Sequence, residues 1–174
     1  MERIRDCRNG ISDSTENIGR ISSINEDSSV MKIQHPKLMA LHDHWIARMR
    51  QMSFPYCADI NPFDLKPFLG HLLILEIADE YAESRYRLFG SILANYLQVD
   101  LTGMRLKDIS IKQSQSIFLE YQNVLIGNSS LAVFNKAMIG GKLTHYEKLM
   151  LPSSSDEKPI AMILAAIYPF DDAS

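Results

Sequence analysis

The sequence predicts an α+β domain on a five-stranded antiparallel sheet with flanking helices, and three observations carry that prediction. Two strand-like segments, Leu72 to Ile77 and Arg85 to Phe89, come early; three more, Leu131 to Ile139, Thr144 to Leu151 and Ile160 to Tyr168, come late. One long run with an apolar stripe, Ile111 to Ile126, joins the two sets. Glycines punctuate the boundaries at Gly90, Gly103, Gly127 and Gly140-Gly141.

In chain order, residues 1–33 carry many Ser, Asn, Asp, Glu and Arg, with isolated isoleucines that settle into no period. They predict a flexible tail, since too little apolar area is available to offset ordering entropy. Ile18 to Ile24 would form a short helix only against a partner surface. Residues 34–70 read as an N-terminal helical extension and 71–170 as the domain proper. Pro36 suits a first helical turn, and Leu38, Leu41, Trp45, Met49 and Met52 follow at three- and four-residue steps. That spacing predicts an amphipathic helix of about four turns, with Lys37, His42, Asp43, Arg48 and Arg50 on its solvated side. The apolar stripe needs a cover: the chain's own sheet, the same helix of a second subunit, or both in part. Leu38, Leu41, Trp45 and Met49 are the expected interface residues.

Further along, Asn61 can cap a helical turn with Pro62 at its first position and Asp64 near the positive end of the dipole. Leu65, Phe68 and Leu69 are its expected buried side, and Pro67 should sit near its end. In the second strand, period-two alternation puts Tyr86 and Leu88 on one face and Arg85 and Arg87 on the other. After Gly90, Ile92, Leu93, Tyr96 and Leu97 make one or two helical turns, and Gly103 lets the chain leave them. Ile117, Phe118, Tyr121, Val124 and Leu125 stripe the long helix, which stops at Gly127-Asn128. Gly140-Gly141 then signals a hairpin, and residues 152–159 a longer loop.

With 18 basic against 21 acidic residues among 174, and no basic run, a nucleic-acid partner is not expected. The longest apolar stretch, Ile160 to Ile167, falls far short of the roughly 20 residues that cross a bilayer, and the first thirty residues lack a secretion signal. A cytoplasmic protein is the expectation. Cys7 and Cys57 argue against a disulfide framework or a multi-cysteine zinc site, and Cys57 has no neighbouring His or Lys to activate it.

Trp45, the Pro55 turn, Asp59-Ile-Asn-Pro62, Arg85-Tyr-Arg-Leu-Phe-Gly90, Leu101-Thr-Gly103 and Leu149 to Pro152 together resemble a group of compact bacterial PAS-like domains, common in alphaproteobacteria and often encoded alone. The resemblance spans roughly residues 38–168. It implies a PAS-like fold, an N-terminal helix that serves as a dimer contact, and a small-molecule cavity between sheet and helices. The candidate lining is Tyr86, Leu88, Asn95, Tyr96, Phe118, Tyr121, Phe134, Met138 and Met162, with core packing as the rival role for each.

No flavin or haem signature accompanies that fold: no Asn-Cys-Arg motif is present, and residues 104–130 contain no His, although His145 keeps an unusual ligation formally open. The cofactor is therefore unassigned. His42 and His44 stand two apart on a helix and point away from each other, while His35, His71 and His145 are isolated, so no metal set is expected. Arg85 and Arg87 either form a solvated face opposite an acid such as Glu76 or recognise an anionic ligand. Hydrolase, metalloprotease and phosphate-loop motifs are missing.

The leading expectation is a non-enzymatic sensory or regulatory module that binds a small ligand or a protein partner and signals through its N-terminal helix or a dimer interface. A ligand-free interaction scaffold with a dry core is the alternative. An isomerase-like enzyme drawing on Glu76, Tyr86 and His145 is a third, though no spacing selects those residues.

Overall fold

The computed structural model of the chain describes residues 32–49, 54–109, 114–139 and 142–170. Residues 1–31 of the tail expected over 1–33 and the helix over 18–24, together with Cys7, Arg50, Met52, Ile111 and Gly140-Gly141, lie outside them, while Ile33 packs partly buried against the core. Among the described residues five strands form one antiparallel sheet in the order β2-β1-β5-β4-β3. They are β1 (Leu72–Glu76), β2 (Arg85–Phe89), β3 (Leu131–Ile139), β4 (Lys142–Ser153) and β5 (Met162–Pro169). The helices are α1 (Pro36–Ile46), α2 (Ser91–Leu97) and α3 (Ser114–Gly127). The sheet places the two early strands beside β5, so the chain's last strand is central and β2 and β3 are the edges.

Cross-strand partners share a face, so the register sorts the side chains into two sets. Leu73, Leu75, Tyr86, Phe89, Ile163, Ala165, Lys148, Met150 and Asn135 face α3, as the bond from Lys148 to Glu120 of that helix confirms. Leu72, Ile74, Leu164, Ala166, Glu147, Leu149 and Leu151 face α1, whose N-cap residue His35 binds Glu147. We call these the α3 face and the α1 face.

The expected alternation in β2 breaks at a bulge. Leu75 pairs with Tyr86 but Ile74 pairs with Leu88, so an extra residue, Arg87, sits between them and Tyr86 and Leu88 end on opposite faces. Gly90 follows where no side chain fits: a Cβ would lie 2.4 Å from the Gly70 carbonyl oxygen and 2.5 Å from that of Leu69. Gly103 turns the chain with φ of 83°, a conformation glycine adopts freely, and its N–H donates to the Tyr86 carbonyl at 2.7 Å.

Helix α1 is shorter than the spacing predicts, 11 residues rather than about four turns. Arg48 stops it by donating back to the His44 carbonyl at 2.8 Å while pairing with Asp64 at 2.6 Å. Residues 61–65 form a turn rather than a helix, although Asn61 caps as expected by accepting from the Phe63 N–H at 3.0 Å. Pro67 accordingly stands at the start of the following 3-10 helix, Lys66–His71, where its missing N–H costs nothing, and not near an end. That helix buries Phe68, while Leu69 is exposed.

Candidate functional site

The stripe on α1 is covered by the chain itself. Leu38, Leu41 and Trp45 are buried, and the Trp45 indole N–H donates to the Pro152 carbonyl at 3.0 Å. These three candidates therefore have no free surface for a second subunit in this arrangement; Met49, Met39 and Ile46 are the exposed apolar residues on and just after the helix.

What anchors the start of α1 is a carboxylate missed by the sequence reading. Glu147 is fully buried and accepts from the Gln34 N–H at 3.0 Å and the His35 N–H at 2.7 Å, two donors just ahead of the helix. A negative charge at this end of a helix is also favoured by its dipole. Rings extend the anchor across the sheet: His35 stacks on Tyr168 at 4.6 Å, and His71 stacks on the same ring at 4.1 Å.

The neighbouring residue on β4 faces the other way. Lys148 is only 2% exposed, and its ammonium donates to Glu120 of α3 at 2.9 Å while lying 4.2 Å from the centre of the Tyr121 ring. The second oxygen of Glu120 accepts from Asn135 Nδ2 at 2.8 Å. Tyr121 in turn shares a hydrogen bond with Tyr86 between their hydroxyls at 3.2 Å, and Tyr81 donates to the Phe118 carbonyl at 2.7 Å. Burial pushes the phenols of Tyr86, Tyr121, Tyr81 and Tyr146 above their ordinary range, so all four are held neutral. The result is an array between α3 and the sheet, with Lys148, Tyr121 and Tyr86 buried and Glu120, Asn135 and Tyr146 partly buried, rich in hydroxyl and charged groups suited to hold a polar molecule or each other.

The expected pocket residues do not all converge there. Tyr86 and Tyr121 are at its centre, and Phe118 packs beside it, partly buried. Tyr96 on α2 packs partly buried with its ring edge toward His71 at 6.4 Å, and Asn95 points outward, exposed. Leu88, displaced by the bulge, lies on the α1 face. Met162 pairs with Glu76 and Ser153, and Phe134 and Met138 pair with Glu147 and Leu143, which puts all three on the α1 face too; Phe134 and Met138 are exposed there. The parity of β3 and β5 decides this, and it follows only from pairing with β4. A visible clue was the alternation Tyr146, Lys148, Met150 on β4, which matches the face of Tyr86 once Glu147 is placed against α1.

Arg87 pairs with Glu76 at 2.6 Å at the sheet edge, and Arg85 stands exposed opposite Glu76, so both occupy the solvated side. His145 lies on the α1 face opposite Lys136, remote in the sheet from Glu76 and Tyr86, so the three enzyme candidates do not converge. Burial raises the Cys57 thiol pKa, which leaves it a poor nucleophile. Among the described residues no three His, Cys, Asp or Glu side chains gather as a metal site, and no helix is long and apolar enough to cross a membrane.

A five-stranded antiparallel sheet in the order β2-β1-β5-β4-β3, with α3 on one face and α1 on the other, is an architecture of the PAS kind. The PAS domain family matches this chain over residues 33–167, and the chain belongs to that family. Solved structures similar to it include a light-oxygen-voltage domain studied with a flavin analogue, 7% identical over 63% of this chain and 84% of that one, with a TM-score of 0.47. The PAS domain of Bordetella pertussis BvgS is 10% identical over 62% and 82%, with a TM-score of 0.42. The Vibrio cholerae receptor VqmA is 11% identical over 59% and 47%, with a TM-score of 0.43. No curated protein matches the sequence.

Proposed function

We propose that this chain is a non-enzymatic PAS sensory or regulatory module in which β4 relays between the polar array under α3 and the docking of α1. The observation that carries the reading is the adjacency of Glu147 and Lys148, two buried charges on successive residues that face opposite sides of the sheet. A ligand or partner that draws Glu120 or Lys148 into new bonds shifts β4, and Glu147, which holds the residues leading into α1, moves with it. The candidate contacts are Lys148, Glu120, Tyr121 and Tyr86 for a small polar ligand, and Met39, Ile46 and Met49 for a partner protein or second subunit. The proposed setting is the cytoplasm, in a bacterium as the resemblance implies, with output through another protein or through a dimer interface.

A ligand-free scaffold is the second reading, favoured by the mutual satisfaction of the array: both Glu120 oxygens are engaged, and the two tyrosine hydroxyls bind each other. A native mass spectrum of the freshly purified full chain separates the two. Extra mass that is lost on denaturation in the parent, and absent from Glu120→Gln, supports a ligand sensor centred on the array. A clean mass, with Trp45 fluorescence unmoved by cell extract metabolites, overturns it in favour of the scaffold.

A further inference from the structure

The α1 face of β4 is covered along only half its length. On this face, burial along β4 runs from exposed at Leu143 and His145 to fully buried at Glu147, Leu149 and Leu151. Helix α1 explains the buried half: its start is fixed at Glu147 and its end at Pro152, by the Gln34 and His35 amides and the Trp45 indole. Beyond Glu147 the sheet continues without α1 over it. There Phe134, Met138 and Leu143 are 47%, 61% and 48% exposed, with Phe170 stacked on Phe134 at 5.8 Å. Lys136 and His145, paired across the strands, stand between Phe134 and the Met138 and Leu143 pair on the same face. Exposed apolar side chains beside an edge strand are a surface that proteins ordinarily cover.

The chain itself arrives at this surface. Ile33 packs partly buried against the core and Gln34 binds Glu147, the cross-strand partner of Phe134, so the described chain begins beside the uncovered half. The stretch upstream of that point holds Ile18, Ile21 and Ile24 at three-residue spacing, followed by Glu26 and Asp27. Apolar side chains with acidic ones complement an apolar surface interrupted by Lys136 and His145. Reach is ample: eight extended residues span about 26 Å, against about 13 Å from Phe134 to Met138 along the strand.

We propose that residues 18–31 dock on the uncovered half of the α1 face, with Ile18, Ile21 and Ile24 over Phe134, Met138 and Leu143 and with Glu26 and Asp27 beside Lys136 and His145. The segment then continues the cover that α1 begins, and displacing it would expose an apolar surface next to the Glu147 anchor. This inference does not depend on a ligand in the array under α3.

The test uses the full chain with both cysteines replaced by serine, a spin label on Ser22→Cys, and carbon-13 methionine methyls. Docking in the same chain is expected to broaden the Met138 methyl while leaving Met39, on the outer side of α1, sharp. Replacing Ile18, Ile21 and Ile24 with serine should abolish that broadening with the remaining methyl shifts unchanged, which shows that the sheet is still folded. An unbroadened Met138 overturns the proposal. So does broadening that appears only when spin-labelled chains without carbon-13 are mixed with carbon-13 chains, because the occupant is then a second copy.

Discussion

Glu147 and Lys148 are neighbours on one strand, both buried and both charged, yet the protein accommodates them in different ways. Glu147 is satisfied by backbone N–H groups of the segment leading into α1, so its partner is a whole helix whose position it fixes. Lys148 is satisfied by a side chain, Glu120, and by the face of an aromatic ring. The first arrangement ties a charge to the backbone and to chain entry; the second ties a charge to side chains that can exchange partners without unfolding anything. The α1 face is thus suited to report and the α3 face to respond, and that difference is the basis of the proposed relay.

The largest way to break the comparison is on the responding side. Glu120→Gln leaves the Lys148 ammonium buried without a counter-charge, and a loss of about 3–5 kcal/mol is expected in urea unfolding, toward the low end because Glu120 keeps some solvent contact. Adding Lys148→Met to that variant removes the stranded charge and should recover most of the loss. On the anchoring side, Glu147→Gln weakens two charge-assisted bonds to the α1 lead, and a loss of about 1.5–3 kcal/mol is expected. Trp45 fluorescence should shift toward that of an exposed indole, since its hydrogen bond to Pro152 requires a docked helix.

An alkaline titration sharpens the same contrast. Burial, chiefly, raises the pKa of Tyr86 and Tyr121; the Tyr121 hydroxyl adds to the rise at Tyr86, while the same hydrogen bond only partly offsets it at Tyr121, so the folded state keeps both protonated. Their contribution to stability is complete below the ordinary tyrosine value of about 10 and is lost as pH rises above it, because the unfolded chain then releases protons the folded chain retains. Absorbance of ionised tyrosine should therefore lag in these residues and rise together with unfolding; early, reversible ionisation of both in the folded protein would contradict the burial. The smallest effect belongs to the edge: Arg87→Ala removes an exposed pair with Glu76, and Tm should not change measurably.

Much of the fold was legible because its signals are local. Strand extent, the glycine turns at Gly90 and Gly103 and the α1 stripe are each fixed by neighbours within a few residues, and β1, β2 and β3 fall where the periodicity puts them. The site was less legible because it depends on pairing. Leu88 was misplaced by a bulge that only the β1 register reveals, and Phe134, Met138 and Met162 were misplaced because a strand's two faces look alike until a partner fixes them. Glu120 and Lys148 passed as ordinary surface charges, since in sequence nothing distinguishes a buried pair 28 residues apart from two solvated ones. Tyr86 and Tyr121 were found because large aromatic residues at core positions of a strand and a helix have few other places to go.

Native-state hydrogen exchange across Leu38 to Ile46, compared between the parent chain and Glu120→Gln, tests the relay most directly. Glu120 binds Asn135 and Lys148 on the sheet face opposite α1, so the account predicts that exchange in α1 rises more than exchange in the central strands β1 and β5. A rise of equal size in α1, β1 and β5, tracking only the loss of global stability, would contradict it.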